Sequence, residues 1–404
     1  MSSHDTHAAS PADACFMVRA LELARRGRFT TTPNPNVGCV LVLDGQIIGE
    51  GWHVRAGEAH AEINAIKDCV AKGHSPKGAT AYVTLEPCSH HGKTGPCSEA
   101  LIEAGVVRVV SAMEDPNPAV SGRGHARLVA EGIEVAVGLL EAEARALNCG
   151  FIRRMTTGLP WVVLKMAVSM DGRTALANGE SNWITSAHSR GDVQVERALS
   201  CAIVTGRGTV EYDNPRLTVR YGDEALPWSV DPGSVWYGDH LLAEVNQDDL
   251  RQPLKVVLDS HAQVSAEAKV FDDPVSVTVA ATQADIDPSL LNPFQKKGVE
   301  IWQCKSAANG RVDVSDVLKR LVECGCNRVM VEAGATLAGE LLAQGLVNEW
   351  LVYQAPVVLG SSGRPLFDHE VTSMDARGVL SLLSCVRIGP DLKLRYEADT
   401  GFGE

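Results

Sequence analysis

Gly57-Glu58-Ala59-His60-Ala61-Glu62, answered by Glu86-Pro87-Cys88-Ser89-His90-His91-Gly92-Lys93-Thr94-Gly95-Pro96-Cys97, decides how the first part of this chain is read. One imidazole and two thiolates hold Zn2+ in three tetrahedral positions, and structural zinc sites are usually closed by a fourth protein ligand. Here the fourth place is left to water, whose pKa falls toward ~7 on the metal. Glu62 stands two residues from His60, where it can take the water proton and pass it to a ring nitrogen and a departing amine. The plainer alternatives are three unrelated side chains or a structural zinc. His53, His90 and His91 are alternative ligands or pocket and loop residues.

The flanking segments supply the frame. Ala14, Met17, Val18, Leu21 and Leu23 fall near helical spacing, which predicts a helix over Asp13–Arg26. A turn at Thr31–Asn36 leads to a strand, Gly38–Leu43. Asp44-Gly45 then signals a two-residue hairpin turn returning as Gln46–Gly49. Helices are expected at Ala59–Val70, Glu99–Ala104 and His125–Glu131, and strands at Ala79–Leu85, Val106–Met113 and Ile133–Val137. Such alternation makes an α/β layer structure. Near Cys149–Thr157 the pattern resets: Arg153, Arg154, Gly158 and Pro160 interrupt it, and Trp161–Val168 opens a new strand. Two domains are expected, 1–157 and 158–404. The second has strands at Ala202–Thr205, Leu254–Leu258, Val275–Ala280, Arg328–Val331 and Glu349–Val358. Its helices are expected at Ala187–Leu199, Val314–Glu323 and Leu337–Ala343, with an acidic loop at Tyr221–Arg251.

A net charge of −13 on 404 residues argues against a partner gripped through phosphate polyanions. The acidity is uneven: residues 1–157 carry −2 and residues 158–404 carry −11. No apolar run approaches 18 residues, so no membrane span is expected. Eleven cysteines in a chain of this size fit a reducing cytoplasm, as core thiols, ligands or reactive groups.

The pattern H-x-E followed by P-C and a second cysteine is the mark of zinc nucleobase deaminases. Eight residues separate Cys88 from Cys97 instead of two. With Pro33-Asn34-Pro35-Asn36-Val37-Gly38-Cys39-Val40, Asp115-Pro116-Asn117-Pro118 and Gly122-Arg123-Gly124, the long spacing resembles the deaminase half of the bifunctional riboflavin-biosynthesis RibD family. Thr94-Gly95-Pro96-Cys97 departs from that family's usual Thr-Pro-Pro-Cys. The resemblance implies a cytidine-deaminase-like α/β/α domain, with zinc on His60, Cys88 and Cys97 and Glu62 as proton carrier. It implies removal of the 2-amino group of 2,5-diamino-6-ribosylamino-4(3H)-pyrimidinone 5′-phosphate. Asn34 would contact the pyrimidine; by local chemistry alone it is equally a turn residue between prolines.

The second half resembles the same family's reductase. Lys165-Met166-Ala167-Val168-Ser169-Met170-Asp171-Gly172-Arg173, Ser181–Ser186, Asp213–Arg220, Val331-Glu332-Ala333-Gly334, Ala355-Pro356 and Leu359-Gly360 carry the likeness. No G-x-G-x-x-G is present. Gly206-Arg207-Gly208-Thr209 and Glu332–Thr336 are glycine turns suited to an anion or to plain strand-to-helix geometry. The resemblance implies a dihydrofolate-reductase-like domain. It assigns NADPH contacts to Ala167, Trp183, Thr209, Asp213, Ser260, Gly334, Ala335, Thr336, Leu337, Ala338, Gly339 and Glu340. It assigns phosphosugar contacts to Ser181, Arg197, Leu217, Arg220 and Glu332. Hydride delivery to the former C1′ would yield a ribitylamine, with Glu332 moving a proton and Lys165 supporting the sugar oxygens. The partner is a phosphorylated pyrimidine, with no nucleic acid or membrane, and a homo-oligomer is expected.

Overall fold

In the computed structural model, described over residues 11–89, 95–118, 120–220, 250–272, 278–283 and 285–398, the chain divides into two units, Met1–Gly158 and Leu159–Glu404. His90, His91 and residues 221–249 of the expected acidic loop lie outside the described residues.

In the first unit α1 (Pro11–Arg25) leads into the hairpin β1 (Gly38–Leu43) and β2 (Gln46–Trp52). There follow α2 (Ala61–Ala71), β3 (Thr80–Val83), α3 (Cys97–Glu103), β4 (Arg108–Ser111), α4 (Arg123–Ala130), β5 (Glu134–Val137), α5 (Glu141–Leu147) and α6 (Cys149–Thr157). The sheet order is β2-β1-β3-β4-β5. β1 is antiparallel to both neighbours, whereas β3, β4 and β5 run parallel, as crossover helices require. Asp44 and Gly45 take φ of 50° and 75°, the pair of positive values a primed hairpin turn needs.

Side-chain alternation sorts the core. Cys39 and Leu41 pack with Ala61, Ala65, Leu101 and Leu128 of α2, α3 and α4, while Val40 and Val42 pack with Met17, Ala20 and Leu21 of α1. The result is a helix–sheet–helix sandwich. α2 lies directly on the hairpin because β2 has no side chain there. A Cβ on Gly51 would sit 2.3 Å from the Ala65 nitrogen, and one on Gly49 2.4 Å from the Ala65 oxygen. This close approach sets the depth of the α2 N-terminus, which carries His60 and Glu62.

The second unit contains β6 (Trp161–Ser169), β7 (Arg173–Ala175), α7 (Ala187–Leu199), β8 (Ala202–Gly206), α8 (Arg207–Asp213), β9 (Leu254–Leu258) and β10 (Thr278–Gln283). Then come α9 (Asn292–Lys296), β11 (Glu300–Cys304), α10 (Val314–Glu323), β12 (Arg328–Glu332), α11 (Ala335–Ala343), β13 (Glu349–Ala355), β14 (Arg364–Pro365), β15 (Leu380–Ile388) and β16 (Asp391–Ala398). Nine strands form one sheet, β11-β10-β9-β8-β12-β6-β13-β16-β15. All pairs are parallel up to β13, and β16 and β15 close it as an antiparallel hairpin. The central strands are apolar on both faces: Leu164 and Met166 pack with Leu318, Leu321 and Leu341, and Val163 packs opposite them with Val193 and Tyr353. On α7 the fully buried Glu196 binds Arg328 at 2.8 Å, Lys393 at 3.0 Å and Arg395. Burial alone would raise the Glu196 carboxyl, but these three cations hold it well below the usual range.

Several expectations need correction. Cys149–Thr157 is a helix, not an interruption: Phe151 is buried, Arg154 reaches the Pro33 carbonyl at 2.8 Å, and Gly158 closes the helix at φ 69°. The Val275–Ala280 strand lies further on, at Thr278–Gln283, while residues 273–277 fall outside the described residues. The helix expected from Leu337 begins at Ala335, with Gly334 as its N-cap. The strand over Glu349–Val358 ends at Ala355. β11, β15, β16 and α5 had no expectation; β15 is largely exposed, so its sequence shows no clean buried face.

Candidate active sites

His60 caps α2 and Glu62 lies in its first turn, buried to 3% exposure. Cys97 opens α3 after Pro96, and Cys88 lies in the loop beyond β3. The three donor atoms lie within 4.8 Å of one another. His60 Nδ1 stands 3.3 Å from Cys97 Sγ and 3.6 Å from Cys88 Sγ. Zn–S and Zn–N bonds of tetrahedral zinc put such donors about 3.6 Å apart. The donor set and its spacing therefore fit zinc, with Nδ1 the His60 atom that faces both sulfurs. The Cys97 amide donates to Cys88 Sγ at 3.3 Å. Hydrogen bonds from Cys97 and His60 push the Cys88 thiol down, toward the thiolate that a metal takes. Burial, and then the Cys88 charge, push Glu62 up to about 7.

His53 is buried against the ring of His60, edge to face at 5.3 Å, and burial lowers its pKa. Its Nδ1 lies 3.1 Å from the Ala59 carbonyl, which can only accept, so Nδ1 carries the proton. Nε2 then accepts from Asn34 Nδ2 at 3.0 Å. The Asn34 amide is thereby oriented with Oδ1 left for another partner. His53 belongs to this supporting pair and not to the metal donor set.

Glu86 went unremarked in the sequence except as part of a motif. Its buried carboxylate accepts from the amides of Asp115 (3.1 Å), Gly122 (2.9 Å), Gly124 (2.8 Å) and His125 (3.4 Å). This binds the Asp115–Gly124 loop to the Pro87-Cys88 loop. A Cβ on Gly124 would fall 1.9 Å from the Pro87 oxygen, so only glycine permits the approach.

In the second unit a cavity of about 820 Å³ opens along the ends of the parallel strands. Lys165, Ala167, Ser181, Trp183, Thr209, Asp213, Ser260, Glu332, Gly334, Ala335, Thr336, Leu337 and Glu340 all line it. Glu332 receives Arg197 Nε and Nη2 at 2.6 and 3.0 Å, and Lys165 Nζ lies 3.9 Å away. Burial would raise Glu332, but Arg197 and Lys165 win and hold it at about 2. Burial pushes the Lys165 ammonium down. Ser181 donates to Asp213 at 2.9 Å. Trp183 is 73% exposed at φ 66°, rare for a bulky residue, with the Arg190 guanidinium 4.2 Å over its ring.

Other expected contacts sit differently. Arg197 does not line the cavity: Glu332 takes its fork, and its Nη1 donates to the Thr218 carbonyl at 3.1 Å. Its charge is therefore neutralised before any phosphate arrives. Leu217 is a core side chain beside Ile203 and Val257, and Ala338 is fully buried. Gly339 is required by packing, since a Cβ would meet the Asp368 oxygen at 2.3 Å. Arg220 is exposed and its charge helps lower Glu332. Asp171 accepts from Ser169, Leu359 and Gly360, which pins two loops together and holds it at about 2. Arg190, His261, Arg311 and Arg364 also line the cavity, with no sequence signal beyond their charge.

Two chemistries are housed in one chain: the fold and sites define a zinc-type pyrimidine deaminase joined to a reductase. Residues 11–113 match the cytidine and deoxycytidylate deaminase zinc-binding region, and residues 160–394 match the RibD C-terminal domain. The chain belongs to the RibD family of riboflavin biosynthesis proteins. It is 49% identical to riboflavin biosynthesis protein RibD of Escherichia coli over 354 residues, covering 88% of this chain and 90% of that one. It is 42% identical to the Haemophilus influenzae protein, covering 96% and 98%. Among solved structures, Acinetobacter baumannii RibD superposes with a TM-score of 0.83 at 38% identity, covering 96% and 99%. The diaminohydroxyphosphoribosylaminopyrimidine deaminase/5-amino-6-(5-phosphoribosylamino)uracil reductase of Thermotoga maritima gives 0.79 at 32%, with the same coverage. The expected pairing of a cytidine-deaminase-like domain with a dihydrofolate-reductase-like one stands.

Proposed function

We propose that residues 1–157 deaminate 2,5-diamino-6-ribosylamino-4(3H)-pyrimidinone 5′-phosphate. Residues 158–404 then reduce the ribosyl side chain of the product, giving 5-amino-6-(5-phosphoribitylamino)uracil. The observation that carries this is the convergence of His60, Cys88 and Cys97 beside buried Glu62, in one chain with a cavity bordered by Lys165 and Glu332.

Zinc held by His60, Cys88 and Cys97 supplies Lewis acidity toward water. Glu62 takes one proton of the attacking water and gives it to the ring nitrogen, then carries the proton of the new hydroxyl to the amine, which leaves as ammonia while the carbonyl forms. Asn34, oriented by His53, offers Oδ1 to a donor on the pyrimidine edge. In the second unit NADPH, held along Ala167, Trp183, Thr209, Asp213, Ser260, Gly334–Leu337 and Glu340, supplies a hydride. Glu332 is ionised throughout the neutral range, so it does not donate a proton; it faces the positive charge of the opening imine. Lys165, with its lowered pKa, is the better acid and protonates the ring oxygen as the ribosylamine opens. Arg197 acts through Glu332, and Arg220 and Ser181 serve the phosphosugar. A cytoplasmic homo-oligomer without nucleic-acid or membrane partner completes the proposal. Among the described residues no helix is long and apolar enough to cross a membrane.

Ammonia release and NADPH oxidation, assayed with zinc and NADPH varied independently, test the two sites. Chelation should stop ammonia release and spare NADPH oxidation with the deaminated substrate. Loss of both together would overturn the two-site assignment.

A further inference from the structure

His60 and Cys97 are set by the first residues of two helices, but Cys88 stands in a loop. Pro87 before it has no amide hydrogen, so the backbone entering Cys88 offers no donor at that point. What holds this loop on the upstream side is Glu86. Its amide donates to the Met113 carbonyl at 3.0 Å. Its buried carboxylate takes the amides of Asp115 and Gly122 on Oε2 and those of Gly124 and His125 on Oε1. His125 Nδ1 stands 4.0 Å from the same carboxylate, beyond hydrogen-bond reach, and its Nε2 faces Ser111 Oγ at 2.9 Å.

Three of those amides open α4. Gly122 is its N-cap, in the left-handed region at φ 74°, and Gly124 and His125 lie in its first turn, whose amides have no partner within the helix. Each is a pure donor, so both carboxylate oxygens must accept; a side-chain amide would turn hydrogens toward two of them. Gly124 in turn lets the helix start approach the Pro87 carbonyl, where no side chain fits. On the downstream side the Cys88 carbonyl accepts from the amide and the hydroxyl of Ser98, both at 3.1 Å, and Cys88 Sγ accepts from the Cys97 amide. Cys88 is thus held between the starts of α4 and α3.

We propose that Glu86 is a positioning residue for the metal centre: by tying the Pro87-Cys88 loop to the start of α4, it sets Cys88 Sγ opposite His60 and Cys97 before zinc arrives. The proposal rests on the first unit's holding zinc on those three residues. A donor already in place needs no ordering when the metal binds, so fixing the loop tightens the site. The carboxylate's hydrogen bonds go to backbone amides, so its effect reaches the metal through the backbone of Pro87 and Cys88.

Competition with a chromogenic chelator on the full chain measures the zinc affinity without turnover. Glu86→Gln should weaken zinc roughly 10- to 100-fold, the usual cost of losing a group that orients a metal ligand. Glu86→Asp keeps the charge and should lose less. It carries the test if the glutamine variant does not fold, unchanged affinity then overturning the proposal. Cobalt(II) in place of zinc gives a signature that a purely structural role would leave alone: at equal cobalt occupancy, the thiolate-to-cobalt absorption of folded Glu86→Gln should weaken. A variant that loses thermal stability without zinc but keeps the wild-type zinc affinity and cobalt spectrum would overturn the proposal. A wild-type chain that binds no zinc would overturn the deaminase reading with it, whereas unchanged zinc binding in both variants would overturn the proposal alone.

Discussion

The deaminase site and the reductase cavity are assembled in opposite ways. In the first unit four functional side chains come from two short segments, and two of them, His60 and Glu62, share one helix start. In the second unit, segments near residues 165, 181, 209, 260, 311 and 332 meet at the strand ends. In the first site burial and the neighbouring Cys88 charge lift Glu62; in the second Arg197 and Lys165 lower Glu332. The same residue type, buried at the first site and partly buried at the second, is thus set up for proton transfer in one place and for lasting charge in the other. Burial decides only until a cation is near.

Glu62→Gln is the strongest way to break the contrast. Removing a proton carrier should cut the kcat of ammonia release about 10²- to 10⁴-fold, with zinc content and NADPH oxidation retained. A loss below tenfold would assign the transfer elsewhere. Glu332→Gln, which removes the charge facing the opening imine, should have the next largest effect, lowering reduction roughly 100-fold and sparing deamination. Unchanged reduction, with folding checked by circular dichroism, would remove Glu332 from the chemistry. The smallest effect is on stability. Glu332 and Glu196 have folded values below the ordinary 4.5, so their stabilisation is complete above that pH and is lost as pH falls toward about 2. Acid unfolding followed by tryptophan fluorescence should show the second unit losing stability across that window. A loss that begins near neutral pH would point to other groups.

Legibility followed the same divide. The α/β order of the first unit was readable because its central strands β1, β3 and β4 are buried on both faces and its hairpin turn has a local conformational demand. α6 was not: Arg153 and Arg154 look like a break in one dimension but are partly buried side chains of a helix whose Phe151 is buried. In the second unit the β15–β16 hairpin escaped notice because β15 is largely exposed, so no periodicity of two was imposed on it. Glu86 was hidden for another reason. Its partners are backbone amides, which every residue possesses and no sequence distinguishes.

The residue types alone pointed to the proposed zinc donor set and proton carrier, and the structure brings their donor atoms together. They determined too that the chain holds two different α/β units. Only the tertiary structure decided what each charge does. It paired Arg197 with Glu332, placed Leu217 and Ala338 in the core, and left Trp183 exposed over the cavity. A charged side chain's role depends on which opposite charge stands within a few ångströms, and here those neighbours lie more than a hundred residues apart along the chain.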